Sequence, residues 1–332
     1  MTRSAHASVD AAILLEGLTK SFGPQKAVDD FNLVVPRGAL CGFIGPNGAG
    51  KTTTIRMIMS IFFPDSGRIS VLGHPSALEA KDRIGYLPEE RGVYRQMRVG
   101  EFLGYIARLK GMRGAGLAKR VRRGLERVGL EGVERKRCEE LSKGMLQKAQ
   151  FVAATLHEPD LIILDEPFSG LDPVSMRQLE TLVRAEHERG ATVLFSTHVM
   201  HQAEELCEHV VMIHRGRKVL DDAIPAIQRR FDPRTILFDP FDPNADVGAL
   251  AALPVIEQVE AAERGYSIRL SEGASPADAM RSIVELVPPA RIELARPRLE
   301  DIFIEIVSST GDELADERRS HPKAVDAEAE VA

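Results

Sequence analysis

Nine consecutive residues early in the chain have the types and spacing of a loop that wraps around phosphate groups. Two glycines enclose four residues and are followed by Lys-Thr, the pattern of a loop whose backbone amides cradle phosphates. Glycine lets the backbone approach an anion because it has no Cβ. The lysine is expected to reach the β- and γ-phosphates, and the first threonine hydroxyl to bind Mg²⁺. The pattern predicts an ATP or GTP site formed by Gly45, Pro46, Asn47, Gly48, Ala49, Gly50, Lys51, Thr52 and Thr53.

The segments on either side of this loop predict the turn that such a site requires. Residues 39–44 are apolar and strand-like, and after the loop Ile55, Ile58, Met59 and Phe62 recur at helical spacing. The first amides of a helix have no intrahelical partner, and the helix dipole places positive potential there. A strand, the loop and a helix would therefore present the phosphates to a helix N-terminus.

A second group of candidate residues lies farther along the chain. Residues 161–164 are an apolar run that ends in Asp165 and Glu166, as expected of a buried parallel strand that delivers acids at its carboxyl edge. We expect Asp165 to hold Mg²⁺, directly or through water, and Glu166 to orient or deprotonate an attacking water. The alternative is a strand that merely ends in a solvated pair of acids, and the phosphate loop in the same chain argues against it.

Three further elements make the pattern specific. Residues 141–148 form a Leu-Ser-x-Gly element that runs into a helical pattern, residues 169–172 read Ser-Gly-Leu-Asp, and residues 196–198 read Ser-Thr-His after an apolar strand. In this order they resemble the signature loop, the D-loop and the switch histidine of the nucleotide-binding subunits of ATP-binding-cassette (ABC) transporters. The resemblance covers about residues 12–222 and implies a P-loop α/β core with an antiparallel β flank and a helical insert.

The resemblance also implies roles for individual residues. Phe22 matches the aromatic residue that stacks on adenine, and Val28 matches a small apolar residue that lines the same pocket. Ser142 and the amide of Gly144 would contact the γ-phosphate of ATP held by a second cassette, and His198 would hydrogen-bond the γ-phosphate. The resemblance therefore implies a homodimer or a heterodimer with another cassette, in which both bind ATP and Mg²⁺.

The chain departs from the common family pattern at three positions. Lys143 and Met145 stand where the signature loop usually has glycine and glutamine, and Glu89 stands where most cassettes have a glutamine that contacts Mg²⁺. The sequence around Glu89, Leu-Pro-Glu-Glu-Arg-Gly, resembles the ATPases that work with exporters of the ABC-2 membrane type, which include sodium-extrusion and drug-efflux systems. Glu89 is therefore a third candidate metal ligand beside Thr52 and Asp165.

Composition indicates the class and the compartment. The chain has 332 residues, of which 44% are hydrophobic, enough for two modest domains with ordinary cores. Its three cysteines lack metal-ligand spacing, and neither a signal peptide nor an apolar run of about twenty residues is visible. We expect a cytoplasmic protein, peripheral on the inner face of the cell membrane, with a separate transmembrane permease as partner. The net charge of −6 argues against nucleic acid as a partner.

An insert of about residues 90–150 is expected to be helical, with helices at Val99 to Leu109 and Leu117 to Val128. By resemblance it rotates against the core, and residues 89–100 are the candidate surface that couples to the membrane partner. Its basic residues could be a solvated face, which we favour, a partner site or a contact with anionic headgroups. They are Arg108, Lys110, Arg113, Lys119, Arg120, Arg122, Arg123, Arg127, Arg135, Lys136 and Arg137.

The remaining segments complete the domain prediction. Residues 1–11 are expected to be disordered, 12–222 to form the nucleotide-binding domain, and 310–332 to be a disordered acidic tail. Residues 223–309 have the order β-α-β-β-α-β of a small ferredoxin-like α+β unit, followed by a last helix. This ending resembles the accessory C-terminal domain of ABC-2 exporter ATPases, for which dimerisation or regulation is a likelier role than chemistry.

Two other functions remain open at this point. A soluble ABC protein that remodels ribosomes or DNA usually has two cassettes in one chain, or a long coiled coil or zinc module before the signature loop, and none of these is visible. A nucleotide-gated interaction module without a membrane partner would have the same motifs.

Overall fold

The computed structural model describes residues 10–90, 92–230, 234–262, 264–295 and 298–308. Both predicted disordered ends lie largely or wholly outside these ranges. The chain divides into two compact units, with the boundary after Ile224. In chain order the elements of the first unit are β1 (Ala11–Phe22), β2 (Gln25–Pro36), β3 (Leu40–Ile44), α1 (Lys51–Ile58), β4 (Ser66–Val71), β5 (Ile84–Leu87), α2 (Val99–Leu109), α3 (Leu117–Arg127), α4 (Lys143–Thr155), β6 (Leu161–Asp165), α5 (Pro173–Glu188), β7 (Thr192–Thr197), α6 (Met200–Leu206), β8 (His209–His214) and β9 (Arg217–Ala223).

A six-stranded sheet forms the centre of the first unit, in the order β5-β6-β7-β3-β8-β9. The first five strands are parallel, and only the edge strand β9 runs antiparallel to its neighbour. Every residue of β3, β6 and β7 is buried, which explains why these strands are continuous apolar runs and do not alternate. Their carboxyl ends meet at one edge of the sheet, where the phosphate loop, the predicted metal ligand Asp165 and the predicted catalytic Glu166 lie.

An antiparallel sheet in the order β2-β1-β4 flanks this core, as predicted. The inward side chains of its strands, among them Ile13, Leu18, Phe31 and Leu33, belong to one apolar cluster with Phe43 of β3. Shared burial of this kind fixes the flank beside the phosphate loop.

The helix after the phosphate loop is shorter than the sequence pattern predicts. It ends at Ile58, so that Met59 and Phe62 lie beyond it. The backbone at Ser60 has a φ of 57°, in the left-handed region, which is incompatible with continuing a right-handed helix. The chain therefore leaves the helix early, and Phe62 becomes free to pack elsewhere.

The insert is helical, and its first two helices begin at the predicted residues. Two of its basic residues also bind the core. The Lys110 ammonium donates to the carbonyls of Lys81 and Ile84, at 2.7 and 2.8 Å, and Arg127 donates to Glu186 of α5 at 2.5 Å. These two side chains attach the insert to the core.

The second unit is a four-stranded antiparallel sheet in the order β11-β12-β10-β13. Because β12 separates β10 from β11, the connection between those two is a crossover, the split β-α-β arrangement of the predicted ferredoxin-like unit. The predicted first helix is a 3₁₀ turn at Val247–Ala252. The elements are α7 (Ile224–Arg230), β10 (Thr235–Pro240), β11 (Ile256–Ala261), β12 (Tyr266–Leu270), α8 (Pro276–Leu286), β13 (Pro289–Leu294) and a helix, α9, over 299–308.

One face of this second sheet is covered by α8 and the 3₁₀ turn. Phe238 and Ile268 from the strands pack with Leu250 of the turn and Ile283 of the helix in a separate apolar cluster.

Among all the described residues, no helix has the length and apolar character needed to cross a membrane.

A buried carboxylate, Glu186, allows the attachment of the insert to be tested. Its side chain is 1% exposed and accepts from Arg127 and from Arg189, whose side chains are 46% and 33% exposed. Glu186→Ala removes the shared partner of both guanidinium groups, so we expect a loss of about 2 kcal/mol in the free energy of unfolding, below the range for a fully buried pair because both arginines reach solvent. Urea denaturation measures this loss. Glu188→Ala, on the exposed side of the same helix, is the control, and equal effects of the two substitutions would contradict the assignment.

Candidate nucleotide site

The phosphate loop connects β3 to α1 in a conformation that requires glycine. Gly50, immediately before the helix, has a φ of 112°, and a Cβ at this position would lie 2.4 Å from the Ala27 carbonyl oxygen. At the start of the loop, the Gly45 amide donates to the Thr197 carbonyl of the neighbouring strand β7 at 3.3 Å. The loop is thus held against the sheet at one end and against β2 at the other.

Lys51 is buried inside its own loop. Its ammonium donates to the carbonyls of Gly45 and Pro46, at 2.7 and 3.3 Å, and lies 3.3 Å from Oε1 of Glu166. The two side chains of this ion pair are 5% and 7% exposed. A buried pair of this kind is costly to separate unless a new charged partner replaces the lost one. An ATP phosphate is such a partner for Lys51.

Asp165 is fully buried at the end of β6. Its Oδ1 accepts from the hydroxyls of Ser196, at 2.6 Å, and Thr52, at 3.3 Å. Its Oδ2 is buried and accepts no hydrogen bond. Burial raises the pKa of this carboxyl group, and the negative charges of Glu89 and Glu166 raise it further against the opposing hydrogen bonds. A carboxylate in this position is stabilised by an added cation.

These observations fit a magnesium ion. A buried carboxylate oxygen without a partner and a threonine hydroxyl beside it are hard oxygen donors of the kind that Mg²⁺ prefers. Within the described residues, no group of three or more His, Cys, Asp or Glu side chains is placed to hold a metal. A site with few protein ligands also suits Mg²⁺, which usually keeps water and binds substrate phosphates.

The loop, Glu89 and Glu166 line one cavity of about 250 Å³. Glu89, which follows β5, thus lies where the sequence predicts a ligand near the nucleotide. Gly45 and Pro46 do not line the cavity, and their carbonyls accept from the Lys51 ammonium. The lining residues are Ala27, Asn47, Gly48, Ala49, Gly50, Lys51, Thr52, Thr53, Glu89 and Glu166.

Glu166 connects the phosphate loop to the histidine after β7. Its Oε2 lies 3.0 Å from Nδ1 of His198, while Oε1 faces Lys51. The Glu166 amide donates to the Ser196 hydroxyl at 3.0 Å, and the residue has a φ of 49°. A left-handed conformation is unusual for glutamate and costs about 1 kcal/mol or more, and such strain is often found at functional sites. The structure thus brings Lys51, Asp165, Glu166 and His198 together at the carboxyl ends of the parallel strands.

Ser196 is a residue whose position the sequence did not reveal as central. Its hydroxyl donates to Asp165 and accepts from the Glu166 amide, so it holds the Asp165 carboxylate and the backbone of Glu166. The Ser-Thr-His sequence placed it beside the site, but only the pairing of Asp165 with Ser196 across β6 and β7 defines this role.

The prediction that Val28 lines the adenine pocket is wrong. Its side chain is fully buried in the apolar core, whereas the neighbouring Ala27 lines the cavity. Successive side chains of a strand point to opposite faces, so only one of the two can reach the ligand side. Phe22 is 48% exposed and packs edge-to-face against Phe62, with ring centroids 5.8 Å apart. The Lys20 ammonium lies over the same ring, 5.7 Å from its centroid.

The signature loop does not contribute to this cavity within the described chain. Ser142 caps α4, accepting from the Met145 amide at 3.3 Å, and a Cβ on Gly144 would lie 2.8 Å from Ser175 Oγ of α5. Lys143 lies across the D-loop, since a Cβ built on Gly170 would be 1.6 Å from its ammonium nitrogen. Ser142 and Gly144 are thus placed beside the D-loop and not beside the phosphate loop.

Comparisons with known proteins agree with this geometry. A sequence model of the family described as "ABC transporter" matches residues 28–169. The ABC transporter ATP-binding protein YhaQ of Bacillus subtilis (strain 168) is 39% identical over 297 residues, which are 90% of this chain and 99% of that protein. The Nod factor export ATP-binding protein I of Paraburkholderia xenovorans (strain LB400) is 37% identical over 221 residues, 66% of this chain and 73% of that protein.

A solved structure titled "Structure of ATP binding subunit of ABC transporter" superposes with a TM-score of 0.61 at 33% identity, covering 66% of this chain and 93% of that one. The chain therefore belongs to the family of ABC transporter ATP-binding proteins. It is an ATP-binding subunit with ATPase activity, built on the P-loop cassette fold.

The raised pKa of Asp165 predicts how stability depends on pH. The folded chain holds the proton of the Asp165 carboxyl more tightly than the unfolded chain does. The stabilising contribution of this group is therefore fully present below the ordinary carboxyl pKa and is lost as pH rises through the raised pKa. Asp165→Asn removes this titration. In EDTA, the variant should therefore lose less stability than wild type as pH rises from the ordinary carboxyl range toward neutral, as measured by urea denaturation.

Asp172 provides a control of opposite sign. The Ser175 hydroxyl and amide hold its pKa below the ordinary value, so its contribution is present above that value and is lost as pH falls. Asp172→Asn should flatten the acid side of the stability profile. Identical profiles for wild type and Asp165→Asn would show that Asp165 does not titrate differently on folding.

Proposed function

We propose that this chain powers an exporter of the ABC-2 membrane type from the inner face of the membrane, through closure of two cassettes on ATP and Mg²⁺. The observation that carries the proposal is the chain of contacts from buried Lys51 through buried Glu166 to the more exposed His198, beside the partnerless oxygen of Asp165. The export role is supported by the resemblance of the Glu89 segment to ABC-2 ATPases and by the relative named for Nod factor export. A separate permease would supply the path across the membrane.

Each residue of the chain of contacts has a step to perform. Lys51 exchanges Glu166 for phosphate oxygens when ATP enters the cavity. Glu166, released from the ion pair, can accept a hydrogen bond from the attacking water and take its proton, and His198 holds the other carboxylate oxygen or the γ-phosphate. Thr52, Asp165 and Glu89 would hold Mg²⁺, which when bound supplies charge neutralisation at the phosphates.

The position of the signature loop supports a second cassette. Ser142 and Gly144 lie at the N-terminus of α4, where helix amides favour an anion. Since neither residue lines the cavity of its own phosphate loop, the phosphate that they would bind belongs to another chain. A homodimer satisfies this arrangement twice, and a heterodimer with a different cassette would also satisfy it.

Lys51→Ala tests the phosphate-binding role. The substitution removes the buried cation of the loop and leaves Glu166 without its ion-pair partner, so ATP binding should weaken and hydrolysis should fall to background. A steady-state assay of phosphate release and equilibrium dialysis with ATP measure both effects. Lys26→Ala, at an exposed position on β2, is the control. Wild-type hydrolysis in Lys51→Ala would refute the assignment of the loop.

Glu166→Gln separates binding from chemistry. The amide cannot take a proton from water, so hydrolysis should fall by about 10² to 10⁴. The substitution also removes the negative charge that pairs with Lys51, so ATP should bind at least as tightly as it does to wild type. The variant should accumulate as a closed dimer in Mg-ATP, seen by size-exclusion chromatography. A monomeric variant with full activity would contradict both the role of Glu166 and the proposed dimer.

Coupling to export needs a separate arm of the same experiment. Inverted vesicles that contain the chain and an ABC-2 permease should accumulate substrate with ATP, and Glu166→Gln should abolish the accumulation. If the dimer forms but no permease of this type stimulates the ATPase, the exporter assignment fails while the ATPase mechanism stands.

A further inference from the structure

Arg56 of α1 contacts Phe62, just beyond the helix, and Glu90, in the segment after β5 that carries Glu89. The guanidinium carbon lies 5.8 Å from the centre of the Phe62 ring, within the range of a cation–π contact. Its Nη2 lies 3.4 Å from Oε1 of Glu90. The Arg56 side chain is 31% exposed, while that of Glu90 is 86% exposed. The contacts therefore join the helix of the phosphate loop to the segment after β5.

That segment carries Glu89 over the cavity. Glu89 lines the cavity beside Lys51 and Thr52, and its charge is one of the groups that raise the pKa of Asp165. Glu90, the next residue, is the one bound by Arg56. Of these two successive residues, Glu89 therefore lines the cavity and Glu90 is paired with Arg56 of α1.

Tyr86, at the other end of this segment, is affected by the charge of Arg56. Burial raises the pKa of its hydroxyl to about 12 and the charge of Asp165 adds to this, whereas the Arg56 guanidinium opposes it. Arg56 therefore pairs with Glu90 on one side of Glu89, and its charge also acts on Tyr86 on the other side.

We infer that Arg56 is a positioning residue, which fixes Glu89 over the phosphate-loop cavity through its contacts with the segment from Tyr86 to Glu90 and so sets how strongly the site responds to Mg²⁺. The inference rests on the proposed function of Glu89 as a metal ligand. Arg56 does not line the cavity, so it acts through Glu89 and not on the nucleotide.

The expected effect is modest, because the pair with Glu90 is largely exposed to solvent. Exposed ion pairs change equilibria by factors of about two to five. The appropriate measurement is the ratio of two affinities for a non-hydrolysable ATP analogue, with Mg²⁺ and with EDTA, which reports the gain due to the metal without depending on turnover. Arg56→Glu should reduce this ratio by about threefold, and leave the affinity in EDTA within about twofold.

Charge exchange tests whether the pair itself is responsible. Arg56→Glu and Glu90→Arg should each lower the ratio, and the double variant should recover most of it because the pair is restored in reverse. A purely structural defect in α1 would not be repaired in this way. Thermal denaturation of the four proteins checks that each is folded. Failure of the double variant to recover the ratio overturns the inference.

A second cycle tests whether Arg56 acts through Glu89. In a Glu89→Ala background, Arg56→Glu should change the ratio no further, since the residue that it positions is gone. Equal effects of Arg56→Glu with and without Glu89 would show that Arg56 acts by another route, which also overturns the inference.

An ion pair at the opposite edge of the sheet is the matched control. Arg83 and Asp160 are 2.5 Å apart, each 49% exposed, and immediately precede β5 and β6. Exchanging their charges should leave the ratio unchanged. If wild type itself shows no gain in affinity with Mg²⁺, the proposed metal site fails. If wild type shows the gain and Arg56→Glu retains it in full, only the positioning role fails.

Discussion

Two adjacent buried carboxylates, Asp165 and Glu166, impose the constraint on which the rest of the site depends. Carboxylates withdrawn from water destabilise a fold unless charges or donors compensate them. The chain supplies this compensation from the phosphate loop and from the end of β7, with Lys51 and Ser196 as the nearest partners. A parallel sheet makes this possible because the carboxyl ends of β3, β6 and β7 lie side by side. The compensation is incomplete at Asp165 Oδ2, so the folded chain is already suited to a cation.

The central strands could be predicted from the sequence because they are buried on both faces. Continuous apolar runs bounded by glycine or acidic residues have few alternative interpretations, and β3 and β6 lie where the sequence places them. Motif spacing and chain order likewise singled out Lys51, Asp165, Glu166 and His198 as candidates, since all four lie at or after strand ends that share one edge of the sheet. The positions of these strands and candidate residues could thus be predicted from local sequence patterns and from the order of the motifs along the chain.

Features that depend on a single backbone irregularity could not be predicted. In a regular strand, buried and exposed side chains alternate, so a buried Phe31 predicts an exposed Val28. Both side chains are nevertheless buried, because Asp30 adopts a left-handed φ of 49° and shifts the strand by one residue. This shift turns Val28 into the core and leaves Ala27 beside the loop. The early end of α1 has the same origin, in the left-handed Ser60. Neither residue is a glycine, so the sequence does not single out these two positions, although aspartate adopts the left-handed region more readily than most residues.

Side-chain pairs between distant segments form the other class that sequence cannot reveal, and the signature loop shows why they matter. Lys143 replaces the usual glycine, and its ammonium lies against Gly170, which has a φ of 64° and no Cβ to obstruct it. The first amides of α4 have no intrahelical partner and are directed toward whatever approaches the helix N-terminus. A lysine beside them adds a full positive charge to the partial charges of the helix end. In the proposed dimer, the side chain that replaces the usual glycine would therefore strengthen the attraction for phosphate while linking the signature loop to the D-loop of the same chain.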